Sequence, residues 1–129
     1  MSLFRVKYLS FFLGLISIFS FFNIIYSYYF NLYLNLNTYY FSLIISSILA
    51  IVFYNIQSDY KKPSIYEKIL TVFFGYFLLP LILSIPFYFS IYNLTFFNSL
   101  FESVSGFTST GFTIFENIKH IDPGLILWR

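Results

Sequence analysis

Cysteine is absent from this 129-residue sequence, and disulfides, thiol catalysis and thiolate metal sites are excluded with it. Charge is almost as scarce. Asp, Glu, Lys and Arg make up 9% of the residues, and the net charge of +2 is too small and too scattered to attract nucleic acid. The one histidine, His120, lacks the convergent donors that a metal site needs, and reads as a solvated loop residue. No paired carboxylates and no nucleophile beside a base stand out, so an enzyme is not expected. No internal repeat is visible either. What the chain has in abundance is apolar surface. Hydrophobic residues account for 59% and aromatic rings for 26% of it, with a mean hydropathy of +0.79. Too few polar groups remain to coat a water-soluble fold, so the chain belongs in a membrane, with most rings facing lipid or filling gaps between helices.

The apolar segments differ in kind. Residues 8–30 contain no charge and would extend about 34 Å as a helix, enough to cross the hydrocarbon core. Asn31, Asn35, Asn37 and Thr38 then make a short uncharged connection, and residues 39–57 are long and apolar enough to return. These two spans form a helical hairpin. A charged cluster follows, with Asp59, Lys61, Lys62, Pro63, Glu67 and Lys68, and then an apolar run over residues 69–91 that carries Pro80 and Pro86. Each proline frees a carbonyl, which predicts a kinked third span. Arg5 and Lys7 precede the first span and Lys61, Lys62 and Lys68 follow the second, whereas the loop between has no Lys or Arg. The positive-inside rule therefore places the N-terminus in the cytoplasm. A cleaved signal peptide is the competing reading of the first segment, but no small-residue cleavage site accompanies it.

Beyond the third span the chain neither enters a polar domain nor recrosses. Residues 96–105, preceded by the capping candidates Asn93 and Thr95, would cover about 15 Å as a helix, half a bilayer. The return runs through Ser105-Gly106-Phe107-Thr108-Ser109-Thr110-Gly111-Phe112-Thr113. Irregular backbone at such depth survives only where protein covers it or water lines it, which predicts a half-membrane pore helix and a re-entrant loop. Gly106 is expected to end the helix in a left-handed cap, and Gly111 to supply backbone angles that other residues resist. Thr108, Ser109 and Thr110 offer hydroxyls as extra ligands or as struts. Rings of backbone carbonyls can replace the water around a cation, and the C-terminal end of the short helix adds negative field. Glu102, ionisable at membrane depth, is read as holding the strand or adding negative charge near it, against a carboxylate that merely reaches interfacial water. Glu116, Lys119 and Asp122 read as loop charges, although Asp122 also begins a further spanning helix as its N-cap, with Pro123 at the first position. Arg129 has two readings, snorkelling to the interface or supporting the loop. The triplet Asn93-Leu94-Thr95 would be glycosylated only in a eukaryotic secretory setting.

The run from Phe97 to Thr113, with Pro123 and then Leu127-Trp128-Arg129, resembles the first pore loop and following helix of bacterial TrkH-type potassium uptake subunits, in the superfamily that includes the Ktr and plant HKT transporters. The likeness is most specific over residues 101–111, and the spans match only in order and hydropathy. It implies an all-α membrane protein with a pseudo-fourfold pore of four helix, pore-loop, helix repeats after an extra hairpin. Residues 1–62 would be that hairpin and residues 63–129 the first repeat, truncated. By the same resemblance Thr108, Ser109, Thr110 and Gly111 form the filter that binds potassium as the transported ion, and Glu102, Gly106 and Phe112 support it. It further implies no catalytic residues, no cofactor and no other metal, a homodimer with a cytosolic TrkA-type nucleotide-binding partner, and residence in the bacterial inner membrane. The loop also echoes the potassium-channel filter Thr-Val-Gly-Tyr-Gly with one of its two glycines. Phe112 stands where a small residue is frequent, and Ser109 where threonine is frequent. A single loop cannot enclose a pore, so the expectation is a fragment of a longer protein. The rivals are a truncated remnant, a chain completed by other subunits, and a non-transporting membrane assembly or scaffold protein.

Overall fold

The computed structural model describes residues 6–55 and 64–129, which leaves Arg5 and the cluster of Asp59, Lys61, Lys62 and Pro63 outside the described residues. Among the described residues every regular element is helical: α1 (Val6–Tyr29), α2 (Leu36–Asn55), α3 (Ile65–Leu83), α4 (Ile85–Tyr88), α5 (Phe96–Phe107), a single 3-10 turn (Ile118–His120) and α6 (Pro123–Trp128). Three helical stretches, Tyr8–Tyr29, Leu36–Asn55 and Ile65–Tyr88, are long and apolar enough to cross a membrane.

The hairpin is built inside out relative to a soluble bundle. Ser20, Ser27, Ser42 and Ser46 are fully buried between α1 and α2, while Phe11, Phe12, Phe19, Phe22, Ile44 and Ile48 face outward. Small residues let two helix backbones approach where lipid gives no hydrophobic drive for association. The seam is stitched by contacts between Ser17 Oγ and Ser47 Oγ at 2.7 Å and between Ser20 Oγ and Ser42 Oγ at 3.1 Å. Helix α1 ends where Asn31 turns left-handed, at φ 57°. The N–H of Leu32 returns to the Ser27 carbonyl and that of Asn31 to Tyr28, which closes the helix end in a Schellman motif. Asparagine suits this position because its short polar side chain tolerates the left-handed region better than most.

At the start of α3 the Ser64 N–H donates to Glu67 Oε2 at 3.3 Å, satisfying one orphan amide of the first turn. The third span is interrupted, but not at the first proline. Helix α3 continues through Pro80 and breaks at Ser84, whose N–H still reaches the Pro80 carbonyl at 2.9 Å, and Pro86 then sits in the first turn of α4. Proline is tolerated there because a first-turn N–H has no helical partner to lose.

Two apolar clusters hold the bundle. Leu9, Leu13 and Ile16 meet Leu79 and Ile82, and Ile24, Tyr39 and Phe87 meet Ile121 and Leu125. Trp128 packs on both and donates its indole N–H to the Leu83 carbonyl at 3.0 Å, close to the break in the third span. Ring contacts fix where α5 lies. Phe96 at its start is 6.5 Å from Tyr88, and Phe107 at its end is 5.7 Å from Tyr76, twelve residues back along the same span. Past α5, Phe115 meets Tyr92 at 5.8 Å. Helix α5 therefore runs back beside the third span for about half of that span's length.

Candidate functional site

Helix α5 is amphipathic in an unusual sense: Ser99, Glu102, Ser103 and Ser105 are buried, and Phe97 and Phe101 are exposed. Thr95 caps its start, its hydroxyl accepting from the Asn98 N–H at 3.3 Å, whereas Asn93 serves as a left-handed turn residue at φ 49°. The other end departs from the sequence expectation. Gly106 is not the left-handed cap; the helix runs on to Phe107, and Ser109 takes that conformation at φ 56°. The Thr110 N–H bonds to Ser105 and the Ser109 N–H to Gly106, both at 3.1 Å, the two bonds of a Schellman motif. Ser109→Gly is expected to stabilise the fold by about 0.5 kcal/mol and Ser109→Val to destabilise it by about 1–2 kcal/mol, since a β-branched side chain crowds the left-handed region. Thermal unfolding of a Ser109→Val variant at the wild-type temperature would contradict this assignment.

Gly106 is a glycine for lack of space. A Cβ there would lie 2.6 Å from the backbone oxygen of Arg129, so the bare glycine lets α5 and the end of α6 touch. Gly111 is the opposite case: nothing would meet its Cβ within 4 Å, but its φ of +77° disfavours other residues.

Behind the loop sits a charged pair. Glu102 is completely buried, and its Oε1 accepts from Thr113 Oγ1 and from the Ile114 N–H, both at 2.7 Å. Its Oε2 lies 3.2 Å from Arg129 Nε but off the line of a hydrogen bond, so this contact is an ion pair held by charge rather than direction. Arg129 then spends Nη2 on the loop, donating to the Gly111 carbonyl at 3.0 Å and the Phe112 carbonyl at 2.6 Å. Of its two readings, the structure takes the inward one. Ser105 Oγ also donates to the Phe112 carbonyl, at 2.6 Å, and Thr110 Oγ1 lies 3.1 Å from Ser105 Oγ as donor to it. Thr108 Oγ1 bonds back to the Val104 carbonyl at 2.7 Å. The threonine hydroxyls are therefore struts between the loop and the end of α5.

Thr108, Ser109, Thr110 and Gly111 are all exposed, and Phe112 turns its ring outward while its carbonyl is held from behind. Among the described residues no donor reaches the carbonyl oxygens of Thr108, Ser109 or Thr110. The oxygens of Gly111 and Phe112, by contrast, are engaged by Arg129.

Sequence reasoning left Ser105, Thr113 and Asn35 without roles. Ser105 and Thr113 flank the glycine-containing stretch as hydroxyl residues, and that was the available signal. Asn35 is buried in the α1–α2 connection, where its Nδ2 donates to Asp122 Oδ2 at 2.7 Å and its Oδ1 accepts from the Ile91 N–H at 3.0 Å. Reading Asp122 as a loop charge is thereby corrected. The residue is buried, its Oδ1 caps α6 through the Gly124 N–H at 3.2 Å, and its own N–H donates to the Tyr92 hydroxyl at 2.7 Å. Glu116, Lys119 and His120 are exposed as expected. No protein-family model, curated protein or solved structure matches this chain.

Proposed function

We propose that this chain supplies one loop of a potassium pathway across a membrane, as part of a TrkH-type uptake subunit. The observation behind this reading is the course of α5 and its loop. Phe107 reaches Tyr76, near the middle of an apolar span, and the carbonyls of Thr108, Ser109 and Thr110, which no donor among the described residues reaches, come immediately after it. Hydrocarbon cannot satisfy such oxygens, so in a bilayer they need water, further protein or a cation. In this reading α5 is the pore helix and residues 108–111 are the re-entrant filter segment. Potassium exchanges part of its hydration shell for the carbonyls of Thr108 to Thr110, and Gly111 and Phe112 are pinned by Arg129 so that the strand does not collapse.

A guanidinium beside a cation path would repel the ion, and the buried carboxylate of Glu102 offsets that field while α5 directs its negative end at the loop. The ion moves down its electrochemical gradient. A cytoplasmic N-terminus follows from the positive-inside pattern, and the inner-membrane location, the homodimer and the TrkA-type partner rest on the family resemblance. A pore of this kind needs four loops, and this chain contributes one.

The test is Gly111→Ser in the transport-competent assembly that contains this chain. A side chain at φ +77° costs about 1–2 kcal/mol in backbone strain and moves the neighbouring carbonyls. Potassium-over-sodium discrimination in rubidium and sodium flux is expected to fall about tenfold, the equivalent of about 1.4 kcal/mol. Discrimination equal to wild type would remove the loop from the ion path.

A further inference from the structure

We propose that the junction of α1, α2 and α6 is a binding site for one internal water molecule, held by Asn23, Ser27 and Tyr39. The inference is independent of the ion pathway. Asn23 Oδ1, Ser27 Oγ and the Tyr39 hydroxyl are each buried without a hydrogen-bond partner among the described residues. All three belong to residues that touch Gly124. The Asn23 Nδ2 donates to the Gly124 carbonyl at 3.0 Å, and a Cβ on Gly124 would lie 2.7 Å from the Tyr39 oxygen and 3.3 Å from the Ser27 oxygen. Three polar groups so placed in an apolar bundle are strongly destabilising unless something bridges them.

The orientation of Ser27 argues for a ligand rather than for indifferent burial. Ser20 and Ser46, equally buried on the same seam, turn their hydroxyls back to the carbonyls of Ile16 and Ser42. Ser27 forgoes that bond and leaves its oxygen on the side of Gly124 and Tyr39. The chemistry suits water better than a cation. The three oxygens are uncharged, and the nearest carboxylate, Asp122, is engaged by Asn35 and the Gly124 N–H. Water can donate to Asn23 Oδ1, accept from the Tyr39 hydroxyl and bond Ser27 in either sense, which gives the two to four partners typical of an internal water. Asn23 also borders a crevice of about 430 Å³ between Phe19, Phe22, Leu83 and Leu127.

Hydroxyl-radical footprinting of the full chain in nanodiscs, with mixing into ¹⁸O water, tests the site directly. Tyr39 is wholly buried, yet it is expected to be oxidised by radicals formed on the adjacent water, taking up the isotope more slowly than exposed Tyr29. No modification of Tyr39 at doses that saturate Tyr29 overturns the proposal. Thermal unfolding gives a second arm, with Tyr39→Phe chosen because it keeps the ring. A hydroxyl bound to water is missed when deleted, so Tyr39→Phe and Ser27→Ala should each lower Tm by about 2–4 °C. The double variant should lose less than the sum, since the two hydroxyls make no bond to each other and communicate only through the water. An unchanged or raised Tm in Tyr39→Phe, or strict additivity, means that the junction is dry.

Discussion

Glu102→Ala is expected to destabilise the protein by about 3–5 kcal/mol, the usual effect of removing one member of a buried ion pair. The substitution leaves the Arg129 guanidinium, about four-fifths shielded from solvent, without its counter-charge, and strips Thr113 Oγ1 and the Ile114 N–H of their acceptor. Against a total stability of about 5–15 kcal/mol for a typical domain, such a loss lowers the melting temperature far enough to be plain in a detergent thermal scan. Two further variants separate charge from hydrogen bonding. Glu102→Gln keeps an oxygen for Thr113 and Ile114 but loses the charge, and should fall between wild type and Glu102→Ala. Arg129→Lys keeps the charge but has no planar fork to span the carboxylate and the carbonyls of Gly111 and Phe112, and should impair the loop although its charge is unchanged. A wild-type melt for Glu102→Ala would show that the pair does not hold the loop.

Gly106→Ala should cost about 1–3 kcal/mol through overpacking, and the cause is distinct from that at the neighbouring glycine of the loop. The new methyl group would meet the backbone of Arg129 at 2.6 Å, and backbone cannot rotate away, so the end of α6 must move and take the guanidinium off the Gly111 and Phe112 carbonyls. Gly111→Ala places its methyl in open space and acts only through φ. Gly106→Ser should therefore be worse than Gly106→Ala because bulk is the fault, whereas Gly111→Asn should be milder than Gly111→Ala because asparagine tolerates the left-handed region. Thermal scans of the four variants decide between these causes. Equal losses for Ala and Ser at 106 would show that the contact with Arg129 is not limiting.

These two glycines show how far a chain can be read without coordinates. Gly111 was legible because a polar turn in an apolar chain calls for a left-handed residue, and that requirement is local. The role of Gly106 was not, since the atom that excludes a side chain there belongs to a residue 23 positions on. Left-handed caps follow the same division. Asn31 ends α1 as a polar break in an apolar run suggests, but Ser109, not Gly106, caps α5, because the Ser105 strut to Phe112 and the Arg129 clamp over-determine the turn. Thr95 was recognisable as a cap from its place before the short helix. Asn35 and Asp122 were not recognisable as partners, being 87 residues apart in sequence.

The stretches Tyr8–Tyr29, Leu36–Asn55 and Ile65–Tyr88 were bound to make membrane-length helices by composition alone, since long runs of mostly apolar side chains need a hydrocarbon solvent and their backbone amides need internal partners. The brevity of the next helix and the polar stretch after it were equally plain in the sequence. Tertiary structure alone decided which groups are engaged: the serines that seam the hairpin, the inward turn of Arg129 to Glu102, and the carbonyls of Thr108 to Thr110 left without a donor among the described residues. Helix formation depends on neighbours within a few residues, whereas the pairing of a buried charge or amide depends on which segments packing brings into reach.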